Sequence, residues 1–161
     1  MTGRDWLWTI GLAVVMFGGN AFLSFTSDWI QSVIPYPKFF VRMMDPDPNY
    51  FLEVQMRGNW WLVIAFLGFA IMNVAGEELW WRGYVLPRQE LAFGQHTWLL
   101  HGVLWILFHV FMPWNLIRYI PGGLALPYVA QKLRNTIPGM IAHLAQNVPT
   151  LIQLLVGVMS K

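Results

Sequence analysis

Four stretches of the chain, residues 6–27, 58–76, 91–117 and 135–160, contain no Asp, Glu, Lys or Arg. A helix crossing the hydrocarbon of a bilayer needs about 20 mostly apolar residues, and each stretch is long enough. A fifth, 119–131, is shorter and holds Pro121, Gly122, Gly123 and Pro127. Irregular backbone survives at membrane depth only where protein or a wet cavity satisfies it, so this stretch reads as a short or broken helix packed inside a bundle. The pattern predicts an all-α fold, a polytopic transmembrane helical bundle of four to five spans.

Polar and proline-rich segments separate these stretches. The first span is expected to end near Ser27 and Asp28. Residues 28–57 hold four prolines and seven charges and read as the main aqueous loop, with an interfacial piece at "KFFVRMM". Trp60 and Trp61 suit an interface at the start of the second span. The last helix is expected to begin near Pro138, whose missing N–H costs little in a first turn, and to bend at Pro149. The N-terminal apolar run lacks the short core and small-residue end of a signal peptide, and reads as a retained span.

Composition supports the membrane assignment. Hydrophobic residues make up 57% of the 161 and charged residues 11%, where a soluble domain has roughly a quarter charged. Ten tryptophans and eleven phenylalanines suit both a core and a bilayer interface. Net charge is +2 without a Lys or Arg cluster, which argues against nucleic-acid binding. The chain has no cysteine, so disulfides and thiolate zinc sites are excluded.

Against this background the segment "NVAGEELWWRGYVL" stands out. A charged side chain at mid-helix in a membrane costs about 2.5–3.5 kcal/mol on insertion scales, so it needs a partner or a function. Glu78 and Arg82 are four residues apart in the favourable acid-first order and are expected to pair. Glu77 points about 100° away around the helix and is left over. Trp105 and His109 share a face of the third apolar stretch, and His143 and Asn147 share a face of the last. Two histidines, an asparagine and an unpaired glutamate on three spans would need one another or water.

Two chemistries fit this set. A partly desolvated Glu77 could act as a general base toward water, with a histidine N–H and an asparagine amide stabilising an oxyanion. Alternatively Glu77, His109 and His143 form a two-histidine, one-carboxylate zinc set, although no H-E-x-x-H is present. His101 is expected to pack in the core and His96 to lie in a connection. Asn73 and Asn115 match no motif and read as structural.

The sequence here resembles the CPBP family of intramembrane proteases, which includes type II CAAX prenyl endopeptidases and bacteriocin-processing, Abi-like enzymes. Their motifs, Glu-Glu-x-x-x-Arg, Phe-x-x-x-His and His-x-x-x-Asn, correspond to "EELWWR", "WILFH" and "HLAQN". The resemblance implies that Glu77 activates water, that His109 helps position it and that His143 and Asn147 form the oxyanion hole. Glu78 and Arg82 would be supporting residues, and Trp105 stands where the family has phenylalanine. It also implies a core at residues 60–161, preceded at 1–59 by the first transmembrane helix and the proline-rich loop. The expected partners are a peptide or protein substrate, prenylated or not, and the lipid bilayer, in the plasma membrane of a prokaryote. A non-catalytic immunity or scaffold protein retaining the protease fold is the rival, followed by a small transporter or proton relay.

Overall fold

A computed structural model describes residues 1–35, 50–52 and 54–160 of the chain. The first helix, α1 (Gly3–Phe22), opens on a reciprocal cap: Thr2 Oγ1 accepts from the Asp5 N–H and the Asp5 carboxylate accepts from the Thr2 N–H. After a 42° bend the chain continues as α2 (Ser24–Val33). Helix therefore extends past Asp28 into the segment expected to be aqueous loop. The interfacial piece expected at "KFFVRMM" lies outside the described residues.

A short antiparallel hairpin, β1 (Tyr50–Phe51) and β2 (Val54–Gln55), precedes the second apolar stretch and was not anticipated. Its exit drives Met56 into a fully buried position among Leu62, Val63, Leu154 and Val158. The end of the supposed loop is thus part of the packed molecule.

Helix α3 (Trp61–Glu77) passes without interruption into a π-helical segment (Glu78–Val85), then α4 (Leu86–Phe93), a 3-10 turn (Gly94–His96) and α5 (Thr97–Phe108). Gly94 has φ +70°, a value at which a side chain would clash, and so it can break the helical path. Thr97 Oγ1 donates to the Gly94 carbonyl at 2.6 Å. The Gln131 side chain accepts from the Trp98 N–H at 3.0 Å and binds the turn from the opposite helix.

Beyond a 3-10 turn (Pro113–Asn115) come α6 (Ile120–Leu133), α7 (Ile137–Ala145) and α8 (Val148–Met159). Helix α6 is the short, proline-containing stretch, and it is packed inside against α5 and α1. Helices α7 and α8 meet at 40°, with Gln146 and Asn147 in the break and Pro149 just inside α8. The expected bend is present and begins ahead of the proline.

The helical run Trp61–Phe108 is long and apolar enough to cross a membrane. The bent pairs α1–α2 and α7–α8 reach that standard only if each counts as one span, giving up to three among the described residues. This differs from the four to five expected. Two bends divide apolar stretches that looked continuous, while one helical run, turned at Gly94–His96, takes in two stretches that looked separate.

Small residues set the closest helix contact. A Cβ added at Gly102 on α5 would lie 2.6 Å from the Gly123 carbonyl oxygen on α6, and one at Gly123 would lie 2.6 Å from Ile106. Close backbone approach of this kind is how helices associate where lipid removes a hydrophobic drive. It also presses α6 against Trp105, since the same Gly123 Cβ would be 3.2 Å from the indole. Gly123→Val should therefore destabilise by about 1–3 kcal/mol and lower the Tm in detergent. Gly68→Ala, where an added Cβ meets nothing within 4 Å, should not. Equal Tm values for wild type and Gly123→Val would contradict this packing.

Candidate active site

The two adjacent glutamates fall on either side of the α-to-π transition. Glu77 is the last residue of α3 and half-buried; Glu78 is the first of the π-helical segment and fully buried. π-Turns are uncommon and occur often at functional sites because the wider turn redirects side chains. Here the transition coincides with two different environments for neighbouring carboxylates.

Glu78 faces the protein interior. Its Oε1 accepts from Arg82 Nη1 at 3.1 Å, with both side chains fully buried, as the four-residue spacing predicts. The same oxygen lies 2.9 Å from His143 Nδ1 on α7. An ionised carboxylate is acceptor-only, so the His143 ring carries a proton on Nδ1. Gly139 makes room for the contact: a Cβ there would stand 3.0 Å from Glu78 Oε2. Arg82 also lies over the Trp105 ring, its guanidinium carbon 4.8 Å from the centroid.

Glu77 faces a different set. Trp105 Nε1 donates to its Oε2 at 3.1 Å, and Asn73 Nδ2 donates to its Oε1 at 3.3 Å. Both donors are neutral. The unpaired charge inferred from the sequence is therefore hydrogen-bonded but not neutralised.

His109 ends α5, with Nδ1 donating to the Trp105 carbonyl at 2.9 Å and its ring 4.3 Å from the indole. Its link to Glu77 runs through Trp105. Tyr119 adds ring contacts to both, 6.0 Å from Trp105 and 5.0 Å from His109. His143 completes the ring cluster, edge-on to Trp105 at 6.4 Å. Asn147 stands in the break between α7 and α8, and its amide reaches back to the His143 carbonyl at 3.5 Å. Thus Glu77, Glu78, Arg82, Trp105, His109 and His143 form one connected assembly, with Asn147 attached through His143.

The zinc alternative required Glu77, His109 and His143 to converge. Among the described residues no three His, Asp or Glu side chains come together as a cation site. The Nδ1 atoms of both histidines bond to a carbonyl and to Glu78, which leaves each Nε2 open. The described side chains are not gathered as a cation site, and no step is routed through a metal.

Two residues escaped the motif reading. Asn73 is four residues before Glu77 on the same helix face, so spacing alone could have linked them. Tyr119 carries no such signal, because only the α5–α6 contact brings it to the site. His101 behaves as expected of a core residue: it is fully buried, with Nδ1 2.7 Å from Gln89 Oε1 and its ring edge-on to Trp81.

Breaking a buried ion pair leaves an uncompensated charge and costs about 3–5 kcal/mol. Glu78→Gln and Arg82→Met should each show such a loss by denaturant titration in detergent. The double variant should recover part of it. Glu77→Gln, which removes no ion pair, should retain near wild-type stability; a loss as large as that of Glu78→Gln would refute the division between the two carboxylates.

Comparison with known families matches residues 59–149 to the type II CAAX prenyl endopeptidase Rce1-like family, a segment containing all seven motif residues. No curated protein and no solved structure matches the chain. More than half the chain aligns, and the matched segment supplies every charged and aromatic contact just described except the packing around α1. The chain belongs to the type II CAAX prenyl endopeptidase Rce1-like family, a family of integral membrane proteases.

Proposed function

We propose that the protein is an intramembrane endopeptidase that hydrolyses peptide bonds of membrane-associated substrates through water activated by Glu77. The observation that carries this reading is the contrast between the two glutamates. Glu78 is fully buried and holds both Arg82 and His143 on Oε1, whereas Glu77 is half-buried, meets neutral N–H groups and keeps acceptor capacity on both oxygens.

The steps follow from these positions. Glu77 takes a proton as the water oxygen bonds to the scissile carbonyl carbon, and His109 helps fix the attacking geometry through its contact with Trp105. Charge then develops on the carbonyl oxygen. His143, donating Nδ1–H to Glu78, presents Nε2–H as an imidazolium, and Asn147 supplies its amide N–H. Collapse breaks the C–N bond, and the proton held by Glu77 passes to the departing amine. Arg82 holds Glu78 in place and supports the indole from one face. Substrates are peptides or proteins reaching the site from the membrane, prenylated or not.

The test is cleavage of a peptide library by purified protein in detergent, comparing wild type with Glu77→Gln, each with and without a strong chelator. Wild type is expected to cut in both conditions and Glu77→Gln in neither, with a loss of two to four orders of magnitude, about the contribution of a general base. Turnover surviving in Glu77→Gln would move the base to His143, whose ring is already oriented by Glu78. Activity lost to chelator and restored by zinc would overturn the metal-free scheme.

A further inference from the structure

We propose that Asn73 and Trp105 are positioning residues that clamp the Glu77 carboxylate, one neutral N–H on each oxygen, and hold it aimed for proton transfer. This rests on the reading of Glu77 as the base and adds what fixes its geometry.

A glutamate at a helix end has three side-chain torsions, the last of them broad, so a single contact would leave the carboxylate free to turn. Two donors on different oxygens remove that freedom. They come from different elements, Asn73 from one turn earlier on α3 and Trp105 from α5, so the clamp also ties Glu77 to the helix carrying His109. Each carboxylate oxygen has a second lone pair, so the clamp does not block a water. The direction of the amide follows from its partner, because an acceptor-only carboxylate must face the NH2 group.

The indole is itself immobile. Trp105 is 5% exposed and has Arg82 over its ring, His109 against it and the Gly123 backbone beneath. Its N–H therefore points where packing directs it. A phenylalanine would keep most of these contacts and donate nothing. Asn73 is the complementary case: it is exposed on the protein surface, so its removal costs no core packing. An amide on an otherwise apolar helix at membrane depth needs a partner, and Glu77 is the one it has.

Hydrogen bonds to the ionised form favour it, so losing a donor raises the protonated fraction of the carboxyl at a given pH. Dicyclohexylcarbodiimide, an apolar reagent that attacks protonated carboxyl groups, reads that fraction without any substrate. The full chain in lipid nanodiscs would be labelled across a pH series, with fragmentation mass spectrometry separating Glu77 from Glu78. Near neutral pH, Trp105→Phe is expected to label Glu77 about tenfold faster than wild type, and Asn73→Leu several-fold faster. The acid plateau, where every carboxyl is protonated and only access matters, should agree within about twofold, because an ionisation effect disappears there. Where peptide turnover is measurable, both variants should lower kcat with KM little changed.

Neutral-pH labelling unchanged in both variants would overturn the clamp, as would a rise that persists on the acid plateau. Asn73→Leu alone suffices if Trp105→Phe fails to fold. Faster labelling in a protein whose wild type cuts no peptide would uphold the clamp while refuting the hydrolytic reading.

Discussion

Everything around the site depends on an ion pair that cannot reach water. Glu78 and Arg82 are both fully buried, and neither would be tolerable there alone. Their pairing lets the π-helical segment turn both charges inward, and His143 on Glu78 brings in α7. Arg82 over Trp105 brings in α5. Three elements thus converge on one pair of opposite charges, and helix contacts made by small residues, Gly139 against Glu78 and Gly123 against Trp105, let them come close enough.

The same constraint separates two chemically identical side chains. Because Glu78 pairs with the arginine, Glu77 is left with the indole and the Asn73 amide. The first carboxylate is fixed by opposite charge in the interior, whereas the second is aimed by neutral donors at a half-buried position. Adjacent residues at an α-to-π transition therefore occupy different environments, and the proposed division between a structural and a chemical carboxylate rests on that difference.

Much of this was legible in the sequence, and the limits have physical causes. The Glu78–Arg82 pair followed from four-residue spacing, and the surplus of Glu77 followed from that pair. The nearly all-helical character followed from the charge-free stretches, but hydropathy does not register the bends at Leu23 and at Gln146–Asn147, and the number of spans is not confirmed. The hairpin before Asn59 and the burial of Met56 beneath Gly157 rest on contacts across about a hundred residues, and the Glu78–His143 bond spans 65. Trp105 showed in the sequence as a tryptophan where the family has phenylalanine; the donor that distinguishes the two matters only once Glu77 is known to face it. Asn73 was within reach of the same spacing argument that paired Glu78 with Arg82, and was missed for want of a motif.

The division between the carboxylates leads to one chemical claim, that Glu77 acts on water and not on the substrate carbon. Single-turnover cleavage in oxygen-18 water, with mass spectrometry of both the product and the enzyme peptide bearing Glu77, tests it most directly. Action through water places the heavy oxygen in the new carboxyl terminus of the product and leaves Glu77 unlabelled. Label appearing in the Glu77 side chain would mean that the carboxylate had attacked the carbonyl itself and been released by hydrolysis, contradicting its role as a base.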